Sequence, residues 1–207
     1  MKSTYFITGI STEVGKTVAA AIVTEALEAD YWKPVQAGEL DNSDTHKIKR
    51  LVSNDISQYH DNSFALHTPM SPHAAAAIDG IEIQLSAIKR PKTKNSLVIE
   101  GAGGLLVPLN DIDTIIDLIQ PTDKIIIVSR HYLGSINHTL LTVEALKSRN
   151  LTAAGIIFSG DEHPTTEDII TKMAQVPIIG RIDEEPYIDA HVVSEYATLF
   201  KEALEAL

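Results

Sequence analysis

Of 207 residues, 17 are Lys or Arg against 28 Asp or Glu, giving a formal charge of −11, and none is Cys. That acidic balance opposes any general affinity for nucleic-acid phosphates or anionic lipid, which needs clustered basic residues, and the missing thiols exclude disulfides, thiolate-rich zinc sites and a cysteine nucleophile. Composition is ordinary for a globular chain, with 44% hydrophobic residues, and no apolar run approaches the roughly 20 residues of a membrane span, so one cytoplasmic domain over residues 1–207 is expected.

The first strand candidate, Tyr5-Phe6-Ile7-Thr8, runs into Gly9-Ile10-Ser11-Thr12-Glu13-Val14-Gly15-Lys16-Thr17, which opens a helix predicted over Thr17–Glu28. A phosphate loop needs glycine where backbone N–H groups approach oxyanions, a Lys that reaches the β and γ phosphates, and a hydroxyl for magnesium. Gly15, Lys16 and Thr17 supply these at a helix N-terminus, where orphan N–H groups and the dipole favour anions. Five residues separate Gly9 from Gly15, one more than in the usual G-x-x-x-x-G-K-[ST] pattern. The plainer alternative is a strand-to-helix turn that binds nothing, but Lys in the first turn of a helix opposes the dipole unless an anion compensates.

The second strand, Tyr31–Val35, carries Lys33 into the irregular stretch Pro34 to Gly38. Ligands of open α/β sheets gather at the carboxyl ends of strands, which would set Lys33 beside the phosphate loop; alternatively it is an exposed strand-end lysine. Asn42-Ser43-Asp44 opens a helix over Ser43–Val52, with Asn42 or Ser43 as its cap, and Asp44 either compensates the helix dipole or serves the site. Asn54–Ser71 is polar and reads as a long surface excursion before a short helix, Pro72–Ile78. A fourth segment, Ser96–Ile99, delivers Glu100 at its end, followed by a glycine-rich turn, Gly101–Gly104. A carboxylate there is what a P-loop protein uses as its second magnesium contact, commonly as Asp. Lys16, Thr17, Asp44 and Glu100 together form one magnesium–triphosphate constellation.

Beyond it the pattern predicts helices at Thr114–Ile119, Ser135–Lys147 with Asn150 as a stop, Thr166–Ala174 and roughly Ile188–Leu207, and strands at Lys124–Ser129, Ala153–Phe158 and Val176–Ile179. Several strands are apolar on consecutive residues, which marks burial on both faces. The expected fold is a single-domain α/β, P-loop NTPase-like, doubly wound and mostly parallel sheet.

The chain resembles the dethiobiotin synthetase family in six motifs taken in order. These are Gly9–Thr17 with its five-residue spacing, Lys33-Pro34-Val35 with Gly38, Asn42-Ser43-Asp44, Ser71-Pro72-His73, Glu100–Gly104, and Leu133-Gly134 with Ile136-Asn137-His138. The resemblance implies an ATP- and magnesium-dependent ligase that carboxylates 7,8-diaminononanoate with carbon dioxide and closes a ureido ring, in the penultimate step of biotin synthesis. It implies that Lys16 stabilises the transferring phosphoryl group, that Lys33 holds the carbamate and its phosphorylated successor, and that Thr17, Asp44 and Glu100 position magnesium. It assigns nucleotide contacts also to Glu13, Val14, Gly15, Val18, Gly101, Ala102, Gly103, Ser159 and Gly160. Asp183, Glu184 and Glu185 join them from a segment, Arg181–Tyr187, that closes over the base. Substrate contacts fall to Lys33, Ala37 and, across a homodimer interface, the run Gly134-Ser135-Ile136-Asn137, whose plainer reading is a helix capped by Ser135. His138 reads as a packing residue, His73 as either a pocket or a structural one, and no zinc ligand spacing is present.

Two positions depart from the family. Ala37 stands where a hydroxyl residue is usual, and Ser159 stands where an adenine-reading Asn is expected, which predicts weaker discrimination among nucleoside triphosphates. A partitioning or positioning ATPase of the P-loop class is the competing reading; it would carry an extra basic residue early in the loop, where Ile10 and Ser11 stand, and basic or amphipathic surface. A cobyrinate-type amidotransferase would need a glutaminase domain with a catalytic Cys.

Overall fold

The computed structural model describes residues 2–207. In chain order its elements are β1 (Thr4–Gly9), α1 (Lys16–Leu27), β2 (Asp30–Trp32), β3 (Val35–Ala37), α2 (Asp44–Leu51), β4 (Tyr59–His60), β5 (Phe64–Leu66), α3 (Pro72–Asp79), β6 (Leu97–Gly104), β7 (Lys124–Arg130), α4 (Ser135–Ser148), β8 (Ala153–Ser159), α5 (Pro164–Ala174), β9 (Ile178–Ile182) and α6 (Ala190–Glu205). Seven strands form one sheet in the order β4-β2-β6-β1-β7-β8-β9, and β3 and β5 pair separately. Every strand pairing is parallel.

The consecutive apolar residues explain the layering. Phe6-Ile7, Val98-Ile99 and Ile125 to Val128 are buried on both faces of the sheet, which requires helices above and below it. From β1 the chain moves through α1 toward β2 on one side, and from β7 through α4 toward β8 on the other. Right-handed crossovers in opposite directions place α1 and α4 on opposite faces, where α1 packs with α6 and α4 with α5. Helix α1 is apolar nearly all round, and its run Ala19 to Val23 is wholly buried, as expected of a helix covered on every side. The chain reverses direction in the sheet at β1, so the carboxyl ends of β1 and its neighbour β6 open onto a topological switch point.

The doubly wound parallel sheet agrees with expectation, but several elements differ in detail. The predicted strand Tyr31–Val35 is broken after Trp32, and its two halves belong to different sheets. Pro34 has no N–H for a ladder; instead its carbonyl accepts from Ser63 N and Phe64 N, and Asn62 Nδ2 donates to the Lys33 carbonyl. Those bonds set Phe64–Leu66 beside β3 as β5, while Tyr59–His60 pairs with β2 as β4, so part of the predicted excursion 54–71 is strand. Gly101–Gly104 is not a turn: β6 continues through it, and Gly104 pairs with Gly9 across a register shift. Thr114–Ile119 forms a 3-10 turn, held by Asp117 accepting from Thr114 N and Oγ1, too tight for an α-helix. The strand predicted at Val176–Ile179 begins later and runs to Ile182, and α6 starts at Ala190, capped by Asp189 accepting from Val192 N. Asn150 stands past the end of α4 with φ 57, as a helix stop should.

Candidate active site

The carboxyl ends of β1, β2 and β6 and the start of α1 surround an open cleft of about 1270 Å³. The loop from Gly9 to Lys16 forms one wall. Within it Glu13 and Gly15 adopt left-handed backbone, with φ 55 and φ 90, and such turns aim successive N–H groups into one concavity suited to an anion. Gly15 occupies the N-cap of α1 with no side chain capping the helix, so its first amides are left for a ligand. A Cβ on Gly15 would lie 3.0 Å from Ser159 Oγ in addition to the strained φ, so the position calls for glycine.

Lys16 is buried and folds back over the loop, donating from Nζ to the Ser11 carbonyl at 2.9 Å. Burial pushes its ammonium down to about 8; Glu100 and Asp44 oppose that shift, and Lys33 adds to it. Thr17, one residue on, donates from Oγ1 to Glu100 Oε1 at 3.0 Å.

Glu100 is the hub of the site. It is 1% exposed, and both of its oxygens are engaged. Oε1 accepts from Thr17 Oγ1 and from Lys33 Nζ, each at 3.0 Å, and Oε2 accepts from the Tyr31 hydroxyl at 2.7 Å. Lys33 is 5% exposed and also pairs with Asp44 Oδ2. The break in β2–β3 creates this contact, because it turns Lys33 off the sheet at the strand end. Burial alone would lower the Lys33 ammonium, but Glu100 and then Asp44 hold it above the ordinary lysine value. Burial would likewise raise the Asp44 carboxyl, yet Lys33 and Lys47 hold it below the usual carboxylate range. Burial raises the Tyr31 phenol well above its ordinary value, with Glu100 and Asp44 adding to the effect.

Asp44 stands at the first turn of α2. Ser43 caps that helix by accepting from His46 N, and Gln36 Oε1 accepts from Asp44 N at 3.2 Å. The donor set around Lys33 is therefore Thr17 Oγ1, a Glu100 oxygen and an Asp44 carboxylate, all oxygen. Such a set fits a hard divalent cation, and two carboxylates leave positions open for phosphate oxygens and water.

Of the remaining predicted residues, Glu13, Val18, Ala37, Ala102 and Gly103 line the cleft. Val14 and Gly101 lie buried behind it, Val14 in the loop and Gly101 within β6. Ser159 stands against Gly15 of the phosphate loop from the β8 side, and Gly160 lies beside His131 and Glu184, with Glu184 Oε1 3.7 Å from a Cβ built on Gly160. The acids of the 181–187 segment are tied into the protein: Asp183 to Arg181, Glu184 to Arg130 at 2.7 Å, and Glu185 accepting from the Tyr196 hydroxyl at 2.6 Å. Gly134, with φ 109, is the N-cap of α4, and no side chain caps that helix. The cap is thus the glycine backbone and not Ser135, which is buried. His138 is exposed on the cleft side of α4 and bonds the Tyr132 hydroxyl through Nδ1 at 2.7 Å, which corrects the expectation of a packing residue. His73 is exposed and does not line the cleft; its N–H donates to the Pro108 carbonyl. Tyr31, Lys47 and Arg130 belong to the site or its rim without having been singled out from sequence.

A parallel doubly wound sheet and an uncapped glycine-flanked helix start with its lysine and hydroxyl define a P-loop protein that binds nucleoside triphosphate. A family model described as "AAA domain" matches residues 3–192. An ATP-dependent dethiobiotin synthetase from Christiangramia forsetii is 65% identical, with 99% of each chain covered, and one from Cytophaga hutchinsonii is 50% identical over 93% of this chain and 94% of that one. The chain belongs to the ATP-dependent dethiobiotin synthetase family and is an ATP-dependent ligase. Among solved structures, the cell division protein MinD of Aquifex aeolicus superposes with a TM-score of 0.58 at 16% identity, covering 99% of this chain and 98% of that one. That likeness is one of fold.

Proposed function

We propose that residues 1–207 act as a single domain, functional as a homodimer, that makes dethiobiotin from 7,8-diaminononanoate, carbon dioxide and ATP in the cytoplasm, where ATP is supplied. The observation that carries this reading is the shared oxygen of Glu100, which accepts from both Thr17 of the phosphate loop and Lys33 of the β2 end. One carboxylate thereby links the nucleotide wall of the cleft to a second, buried lysine. A simple nucleotide switch has no evident use for that lysine, whereas carboxylate-to-phosphate chemistry needs it.

In this reading one substrate amine adds to carbon dioxide, forming a C–N bond and releasing a proton. An oxygen of the resulting carbamate attacks the γ-phosphorus as the bond to ADP breaks. The second amine then attacks the carbonyl carbon and inorganic phosphate leaves, closing the ring. Each stage concentrates negative charge, so the protein contributes positioning and electrostatic stabilisation. Lys33 holds the carbamate and then the mixed anhydride, and Lys16 swings from the Ser11 carbonyl to the transferring phosphoryl group. Thr17, Asp44 and Glu100 would hold magnesium, which when bound neutralises the phosphate charge. The uncapped start of α4 offers backbone N–H groups suited to the substrate carboxylate. Leu133, fully exposed beside it, with Ile136 and Leu141, provides apolar surface for a second subunit.

Lys33→Ala tests the central role. Dethiobiotin formation is expected to fall at least a hundredfold while ATP affinity, measured by calorimetry, stays within about threefold, because the phosphate loop retains its own contacts. Near-normal turnover in that variant would overturn the carbamate role.

A further inference from the structure

Tyr31 is a large, wholly buried side chain whose hydroxyl reaches the reacting cleft only through Glu100. It lies in β2 directly opposite Val98 of β6, and Val98 and Glu100, two residues apart on one strand, share a face. A two-residue step along a strand is about 7 Å, a length that the phenol ring spans, so the hydroxyl arrives at Oε2 at 2.7 Å. Glu100 needs such a partner more than an aspartate would. Its extra methylene adds a rotatable bond between backbone and carboxylate, and that freedom must be removed if the group is to meet a cation in one orientation.

We propose that Tyr31 is a positioning residue: by engaging Glu100 Oε2 on the buried side, its hydroxyl leaves Oε1 as the oxygen presented to Thr17, Lys33 and the metal–nucleotide. This rests on the reading of Glu100 as a metal contact. Tyr31 touches neither Thr17 nor Lys33 by hydrogen bond, so its whole effect passes through one carboxylate. Among the described residues the Glu100 carboxylate makes no hydrogen bond other than those to Thr17, Tyr31 and Lys33, so removing the phenolic hydroxyl leaves Oε2 buried without a donor.

The test is Mn²⁺ binding to the protein–ADP complex, followed by electron paramagnetic resonance of the free ion, for the parent, Tyr31→Phe, Glu100→Gln and the double variant. Tyr31→Phe keeps the ring and its packing. It is expected to weaken Mn²⁺ binding about tenfold, in line with other groups that orient metal ligands, while metal-free ADP affinity stays within twofold. In the Glu100→Gln background the same substitution should cost nothing further. Mn²⁺ affinity within twofold of the parent in Tyr31→Phe, an equal loss of metal-free ADP binding, or a full additional loss in the double variant would overturn the proposal. If Glu100→Gln itself left Mn²⁺ affinity unchanged, the assignment of Glu100 to the metal would fall and the role of Tyr31 with it; if only Tyr31→Phe were silent, the metal assignment would stand alone.

Discussion

Lysine 16 shows how burial sets the operating range of the site. With its ammonium pushed down to about 8, it is charged at pH 7, whereas at pH 9 roughly nine in ten free molecules have it neutral. Phosphate oxygens favour the charged form, so nucleotide binding at pH 9 must bring a proton with it. Calorimetry of metal-free ADP binding in buffers of different ionisation enthalpy should therefore register uptake approaching one proton at pH 9 and little at pH 7, with affinity falling as the pH rises through about 8. Equal uptake at both values would contradict this assignment. At Ser159 the prediction concerns selectivity. Its hydroxyl lies against Gly15 at the edge of the phosphate loop, and one hydroxyl cannot both donate and accept in the paired fashion of an amide. Ser159→Asn should sharpen the preference for ATP over GTP and CTP in steady-state rates; indistinguishable ratios in parent and variant would count against a base-reading role. At this scale the residue types were legible, because Lys16, Thr17, Lys33, Asp44 and Glu100 each carry chemistry that their neighbours advertise. Tyr31 was not, because its part depends on standing opposite Val98 across two strands 67 residues apart in sequence (98 − 31), and nothing local signals it.

Among the elements, the informative failures lie where glycine and proline carry more than one meaning. Gly101–Gly104 suggested a turn because glycine is commonest there, but in this sheet it lets a strand run on beside the phosphate loop. At Gly103 the backbone has φ 67, and a Cβ would stand 2.8 Å from Val107 Cγ2. Gly103→Ala therefore combines left-handed strain with a clash, and should lower unfolding free energy by about 1–3 kcal/mol. A urea midpoint unchanged from the parent would show that the segment relaxes freely. Because Gly103 also lines the cleft, turnover should fall with it. Pro34 marked an irregularity from the start, yet its consequence, the diversion of the chain into a second small sheet, needed the carbonyl partners Ser63 and Phe64, which lie in a stretch with no strand-like pattern. The long consecutive-apolar strands were legible for the opposite reason: their burial on both faces is written in their own composition.

For the molecule as a whole, the charge of −11 and the phosphate chemistry are reconciled by locality. Two buried lysines and the start of α1 face one cleft at the switch point of the sheet, and the acidic surplus elsewhere opposes polyanionic partners without touching it. No helix among the described residues is long and apolar enough to cross a membrane. The parallel order and the position of the cleft follow from crossover handedness once strands and helices alternate, so the architecture was readable in outline. The placement of Lys33 on the phosphate side of that architecture is what gives the ligase reading its content. The most direct measurement is to incubate the protein with ATP, magnesium, ¹³C-bicarbonate and 7,8-diaminononanoate and to follow product mass together with ADP. The expected product is the diamine plus one labelled carbonyl, less two hydrogens, formed with one ADP per molecule and only when both diamine and bicarbonate are present. ADP release at the same rate without diamine, or a product free of label, would contradict it.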